Sequence, residues 1–477
     1  MLWRAFAASA QANSKNTFLG VSLLGNGRSD YMTWKRHVSR LDPQYHCDFA
    51  IIGGGAIGSS IAYHIKQHKK SEDADVIVFD RDLNYSRAST VLSVGSIRQQ
   101  FSIPENIQLS RDSFSFLENA KSNLSVFNED PVDISFKKAG YLFLATKGKM
   151  DLLHSNHATQ IQNGAKLKLL SSDSLKTVYP WMNTDDIVGG SLGLENEGWF
   201  DPWSFLSALK RKNISMGVRY VQASIVSFPG IFDRGVKLNV TSAAIGDPAY
   251  PSASPLSMVY AGEYVNAAGA WSGQLGRLLG IGGRSEDGSH YDFLDETWRS
   301  DERLQFPIPV VPKKRYVFVF HCPNGPAEKC PMVVDPSGVY FRSEGPAGYY
   351  ICGKCPSPDK EPDTKNLEVD YNFFDEEIWP VLANRVPAFE SLKVTHAWAG
   401  FYDYNIVDQN GIIGYHPAFD NFLIAAGFTG HGIQMSPAVG RAAAELLLNN
   451  KFETLDMRRF SFERFDKNEL IFEKNVV

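Results

Sequence analysis

The residues whose types and spacing most directly imply chemistry are three glycines and an acid. Gly53, Gly55 and Gly58 stand in "DFAIIGGGAIGSSIAYHIKQ", where an apolar run, a glycine turn and a helical pattern follow one another. The first glycine permits a tight turn, the second lets backbone approach a pyrophosphate, and the third lets helix and strand pack closely. Phosphates placed there meet free N–H groups and the positive end of a helix, around Ala56 and Ile57. A second apolar strand, "DVIVFD", ends in Asp80, 22 residues beyond Gly58. A carboxylate at that distance accepts hydrogen bonds from a ribose hydroxyl and disfavours a 2′-phosphate, hence NADP. Strand, glycines, helix, strand and acid together imply a dinucleotide site.

Two later stretches repeat the pattern. "GEYVNAAGAWSGQLGRLLG" sets an apolar strand against a small-residue turn, Ala267, Ala268 and Gly269, before Trp271 and a helix. "NFLIAAGFTGHGIQMSPAVGRAAAELLL" again reads strand, glycine turn, helix, with the helix expected to begin near Ser436-Pro437, a cap residue followed by a proline suited to the first helical position. Two readings stand at this point: three unrelated βα turns, or one long ligand such as FAD held from adenine to isoalloxazine. An NAD-linked dehydrogenase needs the first turn alone and leaves the others idle.

The elements that position these turns belong to a large chain. Its 477 residues are 43% hydrophobic and 21% charged, ordinary for a soluble globular protein and long enough for two domains. No run approaches the roughly 18 apolar residues that span a bilayer, which leaves peripheral membrane association open. The first forty residues carry six Lys and Arg against Asp30 alone, with five serines, the composition of a mitochondrial transit peptide; a disordered basic tail is the blander reading. Without them the body holds 42 basic and 52 acidic residues, a net charge of −10, which argues against nucleic acid as a partner. Cys47, Cys322, Cys330, Cys352 and Cys355 are odd in number and irregular in spacing, so neither a disulfide framework nor a metal site is expected. Cys352-Gly-Lys-Cys355 is a CxxC, but "PSPDKEP" follows it rather than a βα elbow. "IGDPAYPSASPLS" and "RSEDGSHYDFLDETWRSDER" read as surface loops.

From about Asp48 onward the chain resembles the D-amino-acid oxidase and sarcosine oxidase family of flavoenzymes, through "AIIGGGAIG", "VNAAGAWSG" and "GFTGHGIQ" in the family's order. The resemblance implies noncovalent FAD and an α/β fold: a Rossmann-type FAD-binding domain with an inserted, largely antiparallel β-sheet substrate domain. The expected division is 1–45 transit peptide and linker, 46–135, 203–304 and 393–477 FAD-binding pieces, and 136–202 and 305–392 substrate-domain pieces. It implies further cofactor contacts from Arg81, Ser89, Thr90, Val226 near the adenine, Gly430, His431, Gly432, Ile433 and Gln434. Arg98 in "YSRASTVLSVGSIRQQF" matches a basic residue set against the flavin ring; a surface ion-pair arginine is the alternative. Tyr340 matches a tyrosine of the substrate cavity, and Tyr402 and Tyr404 fall where an active-site loop is expected. Aromatic rings there would cage an alkylated amine, or be core tyrosines with satisfied hydroxyls.

"HAWAGFYDYNIVDQNGIIGYHP" and "MRRFSFERFD" resemble more closely a branch of the family linked to assembly of mitochondrial complex I. That implies a location on the matrix side of the inner membrane and complex I subunits or assembly intermediates as partners. It leaves a small amine substrate and an electron-acceptor protein as further expectations. Three departures from the family pattern matter. No Cys follows residue 355 and no His lies between 69 and 153, so the residues that attach flavin covalently in some members are missing. Gln434, Gln100 and Phe101 stand where paired cations hold a substrate carboxylate, and a neutral amide cannot match a cation there, which argues against a simple N-methyl amino acid as substrate. Ile351 or a neighbour takes the place of an oxygen-activating lysine, with Lys354 displaced, which favours a dehydrogenase over an oxidase.

Overall fold

The computed structural model describes residues 44–249, 257–282, 301–326 and 330–475. The basic segment at 1–43 and most of the two insertion loops, at 250–256 and 283–300, lie outside the described residues.

The opening strand β1 (Tyr45–Ile52) ends in four consecutive buried residues, Phe49 to Ile52. Such a run is covered on both faces, the mark of a central parallel strand. It gives way at Gly53 to α1 (Ala56–Gln67), which returns the chain to β2 (Val76–Asp80), parallel to β1. β3 (Ser257–Asn266) lies parallel to β1 on its other side, and Phe422–Ala426 and Arg219–Gln222 extend the sheet in parallel at its two ends. Ile412–Tyr415 adds an antiparallel edge, and Ser224–Asp233 with Leu238–Gly246 forms an antiparallel hairpin on β3.

The second sheet has eight strands, antiparallel except where Met332–Val334 runs parallel to Tyr141–Ala145. At its centre β4 (Val310–His321), β5 (Tyr340–Ser343) and β6 (Tyr349–Gly353) bury an aromatic core in which Phe389 stacks edge-on to Phe320 and Phe341. β7 (Lys393–Asn405) pairs with β4 along nearly its whole length. Residue 393, expected to open the third FAD-binding piece, therefore opens the edge strand of the substrate-side sheet, and the chain returns to the first sheet at Ile412. Tyr402 and Tyr404 lie on this strand and not on a loop.

The last long helix, α2 (Gly432–Asn449), begins five residues before Pro437, not at Ser436-Pro437 as the cap pattern predicted. Proline inside a helix leaves one carbonyl four residues back without its donor. Here that carbonyl belongs to Ile433, and Ser436 Oγ donates to it at 2.9 Å. Ala438 N–H, one residue beyond Pro437, donates to Ser113 Oγ at 3.2 Å. α2 packs on α1 at Gly440, where any Cβ would collide with Ser60.

Candidate functional site

A cavity of about 620 Å³ runs from the C-terminal ends of β1 and β2 to the inner face of the second sheet. Open α/β sheets bind ligands outside the carboxyl ends of their strands for the reason already seen in the glycines.

Gly53 has φ +109°, and a Cβ there would collide with the carbonyl of Ala267. Gly58 does not line the cavity; a Cβ on it would strike the Gly53 carbonyl, so it sets helix–strand contact. Gly55, Ala56 and Ile57 do line it, and Gly55 caps α1 with no side-chain acceptor. Thr90 Oγ1 accepts the Ala56 N–H at 3.1 Å, and Thr90 and Ser89 both border the cavity.

Asp80 is held by two backbone donors, Gly54 N–H at 2.7 Å and Asp82 N–H at 2.9 Å. Burial pushes its carboxyl up, and those donors oppose the shift. Beside it the Tyr85 hydroxyl is buried without a partner, an orphan that a ribose would satisfy. Val226 lines the same end.

Along the wall, the Arg81 guanidinium lies 3.7 Å from the Trp271 ring, Trp271 meets Phe401 edge-on, and Arg87 lies over Phe401 at 5.5 Å. Ala268 and Gly269 supply the small-residue turn beneath.

At the far end Arg98 is 2% exposed, so it is no surface ion-pair residue. Its Nη1 donates to the Gln100 carbonyl, and its Nη2 to the Asn475 carbonyl at 2.6 Å and to His431 Nε2 at 3.1 Å. Its planar face covers Phe101, 4.0 Å from the ring centre. Burial and Arg98 together hold His431 well below the usual imidazole range, so the ring is neutral and accepts at Nε2. Gln434 Oε1 accepts the Arg98 backbone N–H at 2.9 Å, while Gly430, Gly432 and Ile433 complete the turn.

Tyr340 and Tyr402 both line this end, Tyr402 against Gly430 and Tyr340 over Gly353. Burial raises both hydroxyls well above the ordinary tyrosine value, and Tyr141 beside them to about 12. All three stay protonated near neutrality. Tyr404 lies outside the cavity lining, with Lys313 over its ring.

Three residues here escaped the sequence reading. Arg315 on β4 is 7% exposed and lines the cavity. Glu361 grips its Nη1 and Nη2 at 2.8 and 2.9 Å, its Nε has no partner, and its guanidinium lies 5.4 Å from the Tyr402 ring centre. Burial alone would lower the Arg315 pKa; the bidentate carboxylate more than reverses that. Asp403 accepts Gly427 and Phe428 N–H groups at 3.0 Å each and anchors the glycine turn, with burial raising its carboxyl to about 6. Glu197, wholly buried, accepts from Gln99 N–H, Gln100 Nε2 and Tyr141 N–H and is raised by burial to about 7. "GFYDYN" could have flagged Asp403, an acid between tyrosines in a buried strand; Arg315 in "KKRY" carried no such mark.

Gln100 faces Glu197 and the Tyr141 carbonyl rather than the cavity. Lys354 Nζ is bound to Glu377 at 2.7 Å, turned away from the ring end, and Ile351 is buried in β6. The cavity wall holds one histidine, His431, and no cysteine among the described residues. No two of the five cysteines are joined in a disulfide.

A glycine turn at a helix N-terminus, an acid and an orphan hydroxyl at one end, and a closed aromatic and cationic chamber at the other, fit an extended flavin dinucleotide. The fold and site define an FAD-binding oxidoreductase. The chain belongs to the FAD dependent oxidoreductase family, whose model matches residues 48–446. It is 47% identical over 441 residues to FAD-dependent oxidoreductase domain-containing protein 1 of Xenopus laevis, covering 91% of this chain and 86% of that one. The Bos taurus protein of the same name is 45% identical, with 90% and 86% covered. Among solved structures, L-proline dehydrogenase from P. horikoshii superposes with a TM-score of 0.71 at 23% identity, covering 90% of this chain and all of that one. Glycine oxidase from Geobacillus kaustophilus gives 0.67 at 19%, covering 88% and 98%.

Proposed function

We propose that this chain is a flavin-dependent dehydrogenase that oxidises the C–N bond of a small secondary amine or amino-acid derivative bearing a carboxylate. The observation that carries the reading is Arg315, buried in the ring-end wall with its guanidinium 5.4 Å from the Tyr402 ring centre. Lys313 reaches the same Glu361 at 3.3 Å, so two cations face one anion and an anionic ligand balances the cluster.

Bound FAD supplies a two-electron acceptor for an amine C–H bond. The residues of the chain bind and orient. Arg315 takes the carboxylate, Tyr340 and Tyr402 flank the amine and donate hydrogen bonds, and the aromatic wall excludes water. Arg98 places positive charge beside the ring. The turned-away Lys354 supports a dehydrogenase, which passes electrons to a partner protein rather than to oxygen.

The test is anaerobic mixing of the holoprotein with amines, amino acids and N-alkyl amino acids, following the visible flavin band. Bleaching by carboxylate-bearing amines is expected. Bleaching only by amines without a carboxylate would sink the reading.

The likeness of residues 396–417 and 457–466 to the complex I branch supports a second role, assembly of respiratory complex I on the matrix side of the inner mitochondrial membrane. The basic first forty residues support import. Among the described residues no helix is long and apolar enough to cross a membrane. Cells lacking the chain should lose assembled complex I on native gels. If a Gly55→Trp form restores it, the role is that of a scaffold; if it does not, the role needs flavin.

A further inference from the structure

Arg98 is held from the end of the chain. The C-terminal segment is rooted at the buried pair Arg464–Asp408, 2.7 Å between Nε and Oδ2. Asp408 also accepts the Ile471 N–H at 3.3 Å, and Asn410 Nδ2 donates to the Ile471 carbonyl at 2.8 Å. From there the segment fastens onto the stretch that carries Arg98. The Glu473 carboxylate accepts Ser102 N–H at 2.7 Å, Asn475 N–H at 2.9 Å and Asn106 Nδ2 at 3.0 Å. Lys474 N–H donates to Ser102 Oγ at 2.8 Å, and Asn475 Nδ2 to the Gln100 carbonyl at 2.7 Å. The run ends where Asn475 offers its carbonyl to Arg98 Nη2.

A buried guanidinium without acceptors is costly, so its acceptors decide where it stands. Arg98 has three: the Gln100 carbonyl, which Asn475 also braces, the Asn475 carbonyl, and His431. Two of the three depend on the tail, and Glu473 is the nearby anion that most favours the charge.

We propose that Glu473 and the Asn475 carbonyl are positioning residues of the flavin cavity, so that the C-terminal segment sets where the Arg98 cation stands relative to the ring. The inference rests on reading Arg98 as the cation that faces the isoalloxazine. Tail and flavin are then coupled, and the coupling is reciprocal: a seated flavin stabilises the strapped tail.

The test compares the reduction potential of bound flavin in the intact holoprotein, in Glu473→Ala, in Glu473→Gln, in a chain ending at Leu470, and in Arg98→Gln. Arg98→Gln should disfavour reduced flavin. Glu473→Ala and the shortened chain should shift the reduced-to-oxidised ratio the same way by about tenfold, the scale of one charge-assisted hydrogen bond. Glu473→Gln, which keeps an acceptor, should shift it less. A shift in Arg98→Gln with none in Glu473→Ala or the shortened chain overturns the role of the tail. No shift in Arg98→Gln overturns the ring-facing reading instead, and the inference with it. Should the altered chains fail to fold, amide exchange at Ile471, Lys474 and Asn475 in the unaltered protein decides. Faster exchange after flavin removal supports the coupling; equal rates overturn it.

Discussion

The two ends of the cavity are built by different means. The nucleotide end is made of backbone and of side chains within short stretches: Gly53 to Ile57, Asp80 to Thr90, Ala267 to Trp271. The ring end is assembled from Arg98, Tyr141, Arg315, Tyr340 and Tyr402, which come from five separate segments, four of them strands of the second sheet. A cofactor common to many enzymes can be held by a local turn, whereas a particular substrate needs side chains brought from far apart. Damage at the first end should therefore remove the flavin outright, and damage at the second should leave a yellow protein with altered chemistry.

The largest effect is expected from Gly53→Val or Gly55→Trp. A side chain at 53 collides with the Ala267 carbonyl and is strained at positive φ, and one at 55 fills the pyrophosphate position beside Thr90. Both proteins should purify colourless, read from the visible spectrum; a full flavin complement in either would break the contrast between the ends. Next, Arg315→Met should keep its flavin while raising the substrate concentration for half-maximal reduction roughly tenfold to a hundredfold. Lys313 remains to pair Glu361 in that variant, so no carboxylate is stranded. Unchanged substrate dependence would take Arg315 out of the binding site.

Glu197 tests the wall behind Arg98. Its carboxyl binds a proton more tightly folded than unfolded, at about 7 against 4.5. Between those values the folded chain holds the extra proton, so stability should fall as pH rises through that window. In Glu197→Gln the slope should flatten, as thermal unfolding at a series of pH values would show. The smallest effect belongs to Lys354→Met. Its partner Glu377 keeps Lys360, and partly exposed pairs contribute about 1 kcal/mol or less. Reoxidation of reduced flavin by oxygen should proceed at an unchanged rate in stopped flow.

The same contrast governs what the amino-acid sequence discloses. Gly53, Asp80 and the turn at Gly269 are legible because their chemistry depends on spacing along the chain, and they stand together in the folded cavity. Tyr340 and Tyr402 are legible only through likeness to a family, since a tyrosine in a strand reads as core. Arg315 is silent because its meaning comes from Glu361, 46 residues away, and from burial beneath another strand. Ser436-Pro437 misleads in the opposite sense: the dipeptide has the form of a helix start, but Ser436 Oγ donating to the Ile433 carbonyl and Ser113 Oγ accepting the Ala438 N–H absorb the proline inside the helix. The strand at Lys393 opens in the second sheet although its segment is expected among the FAD-binding pieces, because pairing with β4, over 70 residues earlier, leaves no local trace.

The two sheets draw their strands alternately from the whole length of the polypeptide, and the turn at Gly427–Gln434 closes the cavity only near its end. On the ribosome, a nascent chain that already carries the glycine fingerprint still lacks the walls that would enclose a dinucleotide. Enclosure of the cofactor thereby waits on the turn at Gly427–Gln434, however early the fingerprint is made. Until then the apolar residues that the finished sheets bury, Ile424 and Phe401 among them, stand uncovered.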